Sequence, residues 1–224
     1  MMRMALHTLV GTVLLGLVLF GPAGTLAWPE GWWFLALFIG CGVAIGIWLA
    51  LTDPGLLAAR MASPFSADQA PRDRVVMALI ALAFSVWLPA MALDARRFGW
   101  SHAPLWTQVL GAVLVLAAFA GWVWVLRTNS FAAVTVRVQT ERGQTVVSTG
   151  PYAFVRHPMY AFALLMLVGT PLLLGSLWGL AGLVLFVPLL AARALSEEAV
   201  LTEGLDGYRD YVRRVRYRLL PGIW

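Results

Sequence analysis

Four long apolar segments constrain the fold of this chain more than any other feature. They cover residues 4–20, 31–51, 75–93 and 104–126. A helix needs about 20 mainly apolar residues to cross the hydrocarbon core of a bilayer. Hydrophobic residues make up 61% of the chain and charged residues only 12%, whereas about a quarter of a typical globular domain is charged. We therefore predict four membrane-spanning helices over these segments.

A fifth apolar stretch, residues 160–192, is too long for a single span. Pro171, Gly175 and Ser176 interrupt it near its middle, where proline and glycine disfavour a continuous helix. We predict that it forms two short helices folded as a hairpin. The predicted fold class is therefore all-α and polytopic: a membrane helix bundle with four clear spans, a C-terminal helical hairpin and a cytoplasmic helical cap.

The basic residues predict the orientation of the chain. All 16 are arginine, and the formal net charge is +5. In a soluble protein this excess would suggest nucleic acid, but in a membrane protein arginine-rich loops mark the cytoplasmic side. With six membrane helices, only Arg96 and Arg97 fall on the opposite side. We predict an integral protein of a bacterial inner membrane, with both termini cytoplasmic, membrane lipids as partners and no nucleic acid.

The first apolar segment follows Arg3 and resembles a signal peptide. We expect an uncleaved span instead, because several equally apolar segments follow it. Cys41 is the single cysteine, which excludes an internal disulfide and a metal site built from cysteines. The sequence carries no signal for an oligomeric state.

Polar and ionisable residues concentrate in two C-terminal segments, 127–156 and 193–218. The four predicted spans carry very few such residues. We therefore divide the chain into N-terminal transmembrane helices, residues 1–126, and a catalytic region, residues 127–224, that contains the hairpin and the tail. A reaction site is expected where the two polar segments meet.

Two clusters carry the candidate chemistry. Gly150-Pro151 breaks the chain, and Arg156-His157-Pro158 stands where the next apolar helix begins, with the proline suited to the first helical turn. Farther on, Arg193 and Glu197 are four residues apart and share one helical face. Structural roles are open as well, because Arg156 can extend to lipid headgroups and Arg193 can pair with Glu197. Charged residues at the end of an apolar helix are nevertheless functional candidates.

These motifs resemble the isoprenylcysteine carboxyl methyltransferases and their relatives, the phospholipid N-methyltransferases. The resemblance covers roughly residues 127–224 and is carried by Gly150-Pro151-Tyr152, Arg156-His157-Pro158-Met159-Tyr160, Arg193, Glu197-Glu198, Leu201, Tyr208 and Tyr211. It implies a membrane methyltransferase that uses S-adenosylmethionine and admits a lipophilic or small acceptor from the bilayer. The reaction that it implies requires no metal.

The resemblance also implies roles for individual residues. Those expected to contact the cofactor are Gln139, the Val147 backbone, Tyr152, His157, Tyr160 and Glu197. Arg156 and Arg193 are expected to face the acceptor as catalytic residues. The planar guanidinium binds carboxylates through paired hydrogen bonds, which favours a carboxylate acceptor, as in isoprenylcysteine methylation. A phospholipid amine and a thiol are the alternatives. Phe162 departs from the family pattern, which usually has glycine there, and puts the shape of the adjoining pocket or acceptor tunnel in doubt.

Three other functions compete with a methyltransferase. A membrane reductase that uses NADPH could share a similar helical bundle, and a non-catalytic lipid-binding protein would keep the arginine-rich tail. A small transporter is disfavoured because the first four spans carry no ionisable residue near their middle. The tail after Glu203 is either a lid over the cofactor or a basic anchor to anionic lipid, worth about 1 kcal/mol per arginine. We favour the anchor.

Overall fold

The computed structural model describes residues 2–62 and 71–224, and within these ranges all regular structure is helical. The eight α-helices are α1 (Met2–Ala23), α2 (Pro29–Thr52), α3 (Pro54–Arg60), α4 (Pro71–Ala92), α5 (Leu105–Thr128), α6 (Pro158–Leu174), α7 (Leu183–Gly204) and α8 (Tyr208–Arg214). A π-helical turn, Leu93–Phe98, extends α4, and a 3-10 turn, Trp178–Gly182, leads into α7. The predicted all-α class is confirmed.

Five helical segments are long and apolar enough to cross a membrane. They are Met4–Ala23, Pro29–Thr52, Arg72–Phe98, Leu105–Thr128 and Trp178–Gly204. The first four confirm the predicted spans. Helix α6 is shorter, at 17 residues. Many large apolar side chains are exposed on the outer helix faces, as expected where lipid is the solvent, and the chain is an integral membrane protein.

The predicted hairpin is present, with two corrections. Helix α6 ends at Gly175, whose φ of +79° favours glycine, and its N–H caps the helix by donating to the carbonyls of Leu172 and Pro171. Pro171 therefore lies inside α6 and not at the break. The second helix is not short, because α7 continues to Gly204. Its last turns carry the polar residues of the site on the same rigid helix that crosses the membrane.

Helices α5 and α6 pack unusually closely. A Cβ atom added to Gly111 would lie 2.2 Å from the backbone N of Leu173 and 2.7 Å from the carbonyl oxygen of Gly169. Small residues allow such backbone approach between membrane helices. Farther along, the ring of Phe162 fills the space over Gly121, where an added Cβ would lie 2.2 Å from Cδ1. Phe162 is thus a contact between two helices.

The loops sort to the two ends of the bundle. The end that gathers residues 53–60, 127–157 and 204–224 is here called the site end. The opposite end, called the far end, carries residues 24–28, 93–104 and 175–182. Arg96 and Arg97 lie at the far end, as predicted. The two polar segments of the sequence thus meet at one end of the bundle.

Candidate active site

A cavity of about 230 Å³ lies at the site end. The eight residues predicted from the sequence all line it: Gln139, Val147, Tyr152, Arg156, His157, Tyr160, Arg193 and Glu197. Phe162 does not line this cavity. Ligand pockets usually measure about 300–1,000 Å³, so this cavity lies slightly below the usual range.

Glu197 presents a carboxylate to the cavity. Its Oε2 accepts a hydrogen bond of 2.8 Å from the Tyr160 hydroxyl and lies 3.5 Å from Nδ1 of His157. Pro158 begins α6, and His157 precedes it as the N-cap. The rings of His157 and Tyr160 are stacked, with their centroids 5.6 Å apart. No residue that the structure describes donates to Oε1 of Glu197. This oxygen can therefore accept a hydrogen bond from a ligand.

Glu198 joins three basic side chains in a buried cluster, called the Glu198 cluster below. Its Oε1 accepts from Nε of Arg156 at 2.6 Å and lies 3.1 Å from Nε2 of His157. Its Oε2 accepts from Nε of Arg218 at 3.0 Å. The cluster ties α7 to the start of α6 and to the C-terminal tail.

Arg156 is committed to this cluster. Besides Glu198, its Nη1 donates to the carbonyls of Val215 and Arg216 at 2.8 Å each, and its side chain is only 3% exposed. Its charge and three of its donor groups are therefore already used inside the protein. Because Arg156 also lines the cavity, the expectation that it faces the acceptor stays a prediction.

The tail forms a wall of the cavity. The backbone N–H groups of Arg156 and His157 donate to the carbonyls of Tyr217 and Arg218, at 2.9 Å each. Tyr211 is buried, and its hydroxyl donates to the Tyr152 carbonyl at 2.8 Å. These contacts join the tail to the rest of the protein, and the favoured anchor role of the tail stays a prediction. Four tail arginines are exposed: Arg209, Arg213, Arg214 and Arg216.

Arg193 connects three parts of the structure. Its Nε lies 3.6 Å from Oδ1 of Asp73 on α4, and it donates to the Val134 carbonyl and to the sulfur of Met77. Its guanidinium carbon lies 5.8 Å from the centroid of the Tyr160 ring, within range of a cation–π contact. The carboxylate that balances its charge comes from α4 and not from Glu197, four residues away.

Sequence reasoning missed Arg60. It ends α3, a short helix that Asp53 caps by accepting from the Leu56 N–H at 2.9 Å. Arg60 lines the cavity and donates to the Ala132 carbonyl at 2.9 Å. Burial lowers its pKa. Among residues 2–62 and 71–224, no carboxylate lies within ion-pair distance of it. The Asp-Pro pair before a short apolar run was the available signal for this helix.

The loop before α6 supplies backbone groups to the cavity. Gln139 folds this loop: its Nε2 donates to the Phe131 carbonyl and its Oε1 accepts from Arg142, both at 2.7 Å. By contrast, the N–H and C=O of Val147 make no hydrogen bond with any described residue. Buried backbone groups are nearly always paired, so half-buried Val147 is suited to pairing with a ligand. The predicted contact from the Gln139 side chain stays a prediction.

His157 lies between the carboxylates of Glu197 and Glu198. Burial is the largest influence on its pKa and lowers it, but hydrogen bonds and charge from Glu197 and Glu198 outweigh burial, so the pKa is raised overall. When the pKa of a group is higher in the folded state, its protonation stabilises the fold. This contribution is complete at pH values below the unfolded-state pKa of about 6.5, and it is lost as the pH rises through the folded-state pKa.

We therefore expect the stability advantage of the wild-type protein over His157→Gln to shrink as the pH rises from 6 to 9. Thermal unfolding of both detergent-purified proteins across that range checks this, because the difference between them cancels groups that titrate in both. A difference that stays constant or grows with pH would contradict the raised pKa of His157.

A comparison with known protein families finds a match over this part of the chain. Residues 106–206 match the family model described as Phospholipid methyltransferase. The matched range contains all but the first residue of α5, the whole of α6 and α7, and all eight predicted site residues, while Tyr208 and Tyr211 lie beyond it. No curated protein matches the chain. The family match confirms the resemblance that the C-terminal motifs indicate: residues 106–206 of the chain are similar to the phospholipid methyltransferase domain.

Proposed function

We propose that this protein transfers a methyl group from S-adenosylmethionine to a lipophilic acceptor, with a carboxylate as the favoured acceptor group. One observation carries the proposal. Within the family domain, a single cavity presents the free Oε1 of Glu197 together with the unpaired backbone groups of Val147. These groups offer hydrogen bonds to a polar ligand without any change in the internal pairing of the protein.

The donors and acceptors present suit this cofactor. Glu197 can accept hydrogen bonds from hydroxyl or ammonium groups, and Val147 offers one donor and one acceptor to a heterocycle. The hydroxyl of Tyr152 already accepts from Asn129 at 2.9 Å and can still donate. When bound, S-adenosylmethionine supplies a methyl group activated by a sulfonium. The protein then has to align donor and acceptor, and positioning of this kind accounts for much of the acceleration in such reactions.

The balance of charge changes which arginine is best placed to bind an anion. Glu198 balances Arg156 and Asp73 balances Arg193. Arg60 is the arginine of the cavity with no carboxylate partner among the described residues. We propose that Arg60 binds a ligand carboxylate, and that Arg193, which lies where the cavity meets α4 and α7, faces the incoming acceptor.

Replacing Arg60 by glutamine is expected to weaken binding of the ligand carboxylate by about tenfold or more, because a hydrogen bond to a charged group contributes about 1.5–3 kcal/mol. Calorimetry with S-adenosylmethionine and its decarboxylated analogue identifies which carboxylate is bound. A loss for the intact cofactor alone assigns Arg60 to the cofactor. Unchanged affinities with a raised KM for a carboxylate acceptor assign it to the acceptor.

The matched control for this test is Arg127→Gln, because Arg127 is exposed at the same end of the bundle and does not line the cavity. If Arg60→Gln behaves like this control in affinity and in KM, Arg60 has no role in binding a ligand.

The acceptor class is tested by transfer of labelled methyl groups to three substrates: a prenylated cysteine with a free carboxylate, phosphatidylethanolamine and an alkyl thiol. The proposal expects methylation of the carboxylate, with turnover lowered in Arg193→Lys. Methylation of the amine or the thiol instead would overturn the carboxylate assignment and keep the methyltransferase. Methylation of none of these, with saturable binding of NADPH, would favour the reductase.

We also propose that the site end faces the cytoplasm of a bacterial inner membrane, with both termini on that side. The distribution of arginines supports this orientation, since Arg96 and Arg97 alone lie at the far end. Reporter fusions to each terminus test the proposal, and an external location of either terminus would refute it.

A further inference from the structure

A second cavity lies at the far end of the bundle, where α4 passes through its π-helical turn and α7 begins. Its volume is about 590 Å³. The lining is mostly apolar and aromatic and consists of Trp87, Ala90, Met91, Asp94, Trp100, Trp178 and Gly179. None of these residues lines the cavity at the site end, so the two cavities are separate.

Asp94 is the one ionisable residue in this lining. It is 1% exposed, and its Oδ2 accepts hydrogen bonds of 2.6 Å from the hydroxyls of Ser101 and Ser176. Its Oδ1 is buried and accepts no hydrogen bond from any residue that the structure describes. Neighbouring Arg96 and Arg97 are exposed and form no ion pair with it. A buried carboxylate oxygen without a partner is costly, which points to a ligand that brings positive charge.

Three tryptophans line the same cavity as Asp94. Trp87 is buried and fixed, because its Nε1–H donates to the Gly179 carbonyl at 2.6 Å. Trp100 and Trp178 stand at the rim and are 63% and 68% exposed. The face of an indole ring attracts a cation within about 6 Å, and sites for quaternary ammonium groups are built from such rings. A single carboxylate among indoles offers too few oxygens for Ca²⁺ or Mg²⁺, which take about six or more oxygen ligands.

We infer that the far-end cavity binds an alkylammonium group, with Asp94 supplying the countercharge and the tryptophans packing against its methyl or methylene groups. Such a group is carried by zwitterionic lipid headgroups and by free amines. The negative charge of Asp94 opposes an anionic ligand. The two serine hydroxyls are already used as donors to Asp94 and hold its carboxylate in place.

The test compares choline with 3,3-dimethylbutanol, its neutral analogue of the same shape, by calorimetric titration of the full-length protein in an uncharged detergent. We expect saturable binding of choline and binding of the neutral analogue at least about tenfold weaker, since tenfold corresponds to about 1.4 kcal/mol and cation–π contacts contribute about 0.5–2 kcal/mol. Equal binding of the two, or no saturable binding of choline, would overturn the inference.

Two substitutions locate the binding. Asp94→Asn and Trp178→Leu are each expected to weaken choline binding by about tenfold or more, on the same contact energies. Because Trp178 is largely exposed, Trp178→Leu is expected to fold, and it tests the binding site even if Asp94→Asn does not fold. The matched control is Trp106→Leu, because Trp106 is 67% exposed at the same end and does not line the cavity. An equal loss in Trp106→Leu would overturn the assignment to this cavity.

The source of the ammonium group is decided by comparing free choline with dihexanoylphosphatidylcholine below its micelle concentration. Tighter binding of the lipid, abolished by Trp178→Leu, identifies a lipid headgroup. Tighter binding of free choline identifies a soluble amine. Binding of the lipid that Trp178→Leu leaves unchanged would place the lipid elsewhere and count against the site.

Discussion

Replacing Glu198 by glutamine is expected to lower the free energy of unfolding by about 3–5 kcal/mol, the cost of removing one partner from a buried ion pair. Arg156 would lose the negative charge that balances it, and His157 would lose one of its two carboxylate partners, while both stay buried. The tail would also loosen, because Arg218 holds it through the same carboxylate. Thermal unfolding of the purified protein measures the first effect, and tryptic cleavage at the tail arginines measures the second.

The control for this substitution is Glu203→Gln on the same helix. Glu203 is exposed, and exposed substitutions usually change stability by no more than about 0.5 kcal/mol. Equal unfolding midpoints and equal cleavage rates for the two variants would contradict the central place of the Glu198 cluster.

Replacing Gly111 by valine is expected to prevent α5 and α6 from packing. The new Cβ would meet the backbone of Leu173 and Gly169, and backbone cannot move aside as a flexible side chain can. We expect a loss of at least about 3 kcal/mol, the upper end of the cost of overpacking. The yield of monodisperse protein and its unfolding midpoint in detergent measure this loss.

Gly16→Val in α1 is the matched control, because nothing lies within 4 Å of a Cβ atom added there. It should fold normally, since valine is also the better helix former of the two residues. A Gly111 variant as stable as this control would show that the close approach of α5 and α6 is not needed for folding.

Much of the fold could be predicted from the sequence because it depends on local patterns. Apolar length alone located the four spans, and Gly175 marked the break of the hairpin. The motifs around His157 and Glu197 identified side chains that share one cavity, because each motif is fixed to the end of an apolar helix at the same end of the bundle.

The pairing of charges could not be predicted in the same way. Arg193 has a carboxylate four residues away, yet its charge is balanced by Asp73 from another helix. From the sequence, Arg156 is expected to face an acceptor, yet its guanidinium donates hydrogen bonds to Glu198 and to the tail. Arg60 gave no motif at all. Each of these roles depends on which helices become neighbours, and no local spacing encodes that information.

The most direct test of the proposed activity is calorimetric binding of S-adenosylmethionine and S-adenosylhomocysteine to wild-type protein, Glu197→Ala and the control Glu203→Ala. We predict saturable binding to the wild type and unchanged binding to the control. Binding to Glu197→Ala is expected to be weakened by about tenfold or more, because hydrogen bonds to a charged carboxylate contribute about 1.5–3 kcal/mol. Folded wild-type protein that binds neither ligand, or a Glu197→Ala variant that binds as tightly as the control, would contradict these predictions.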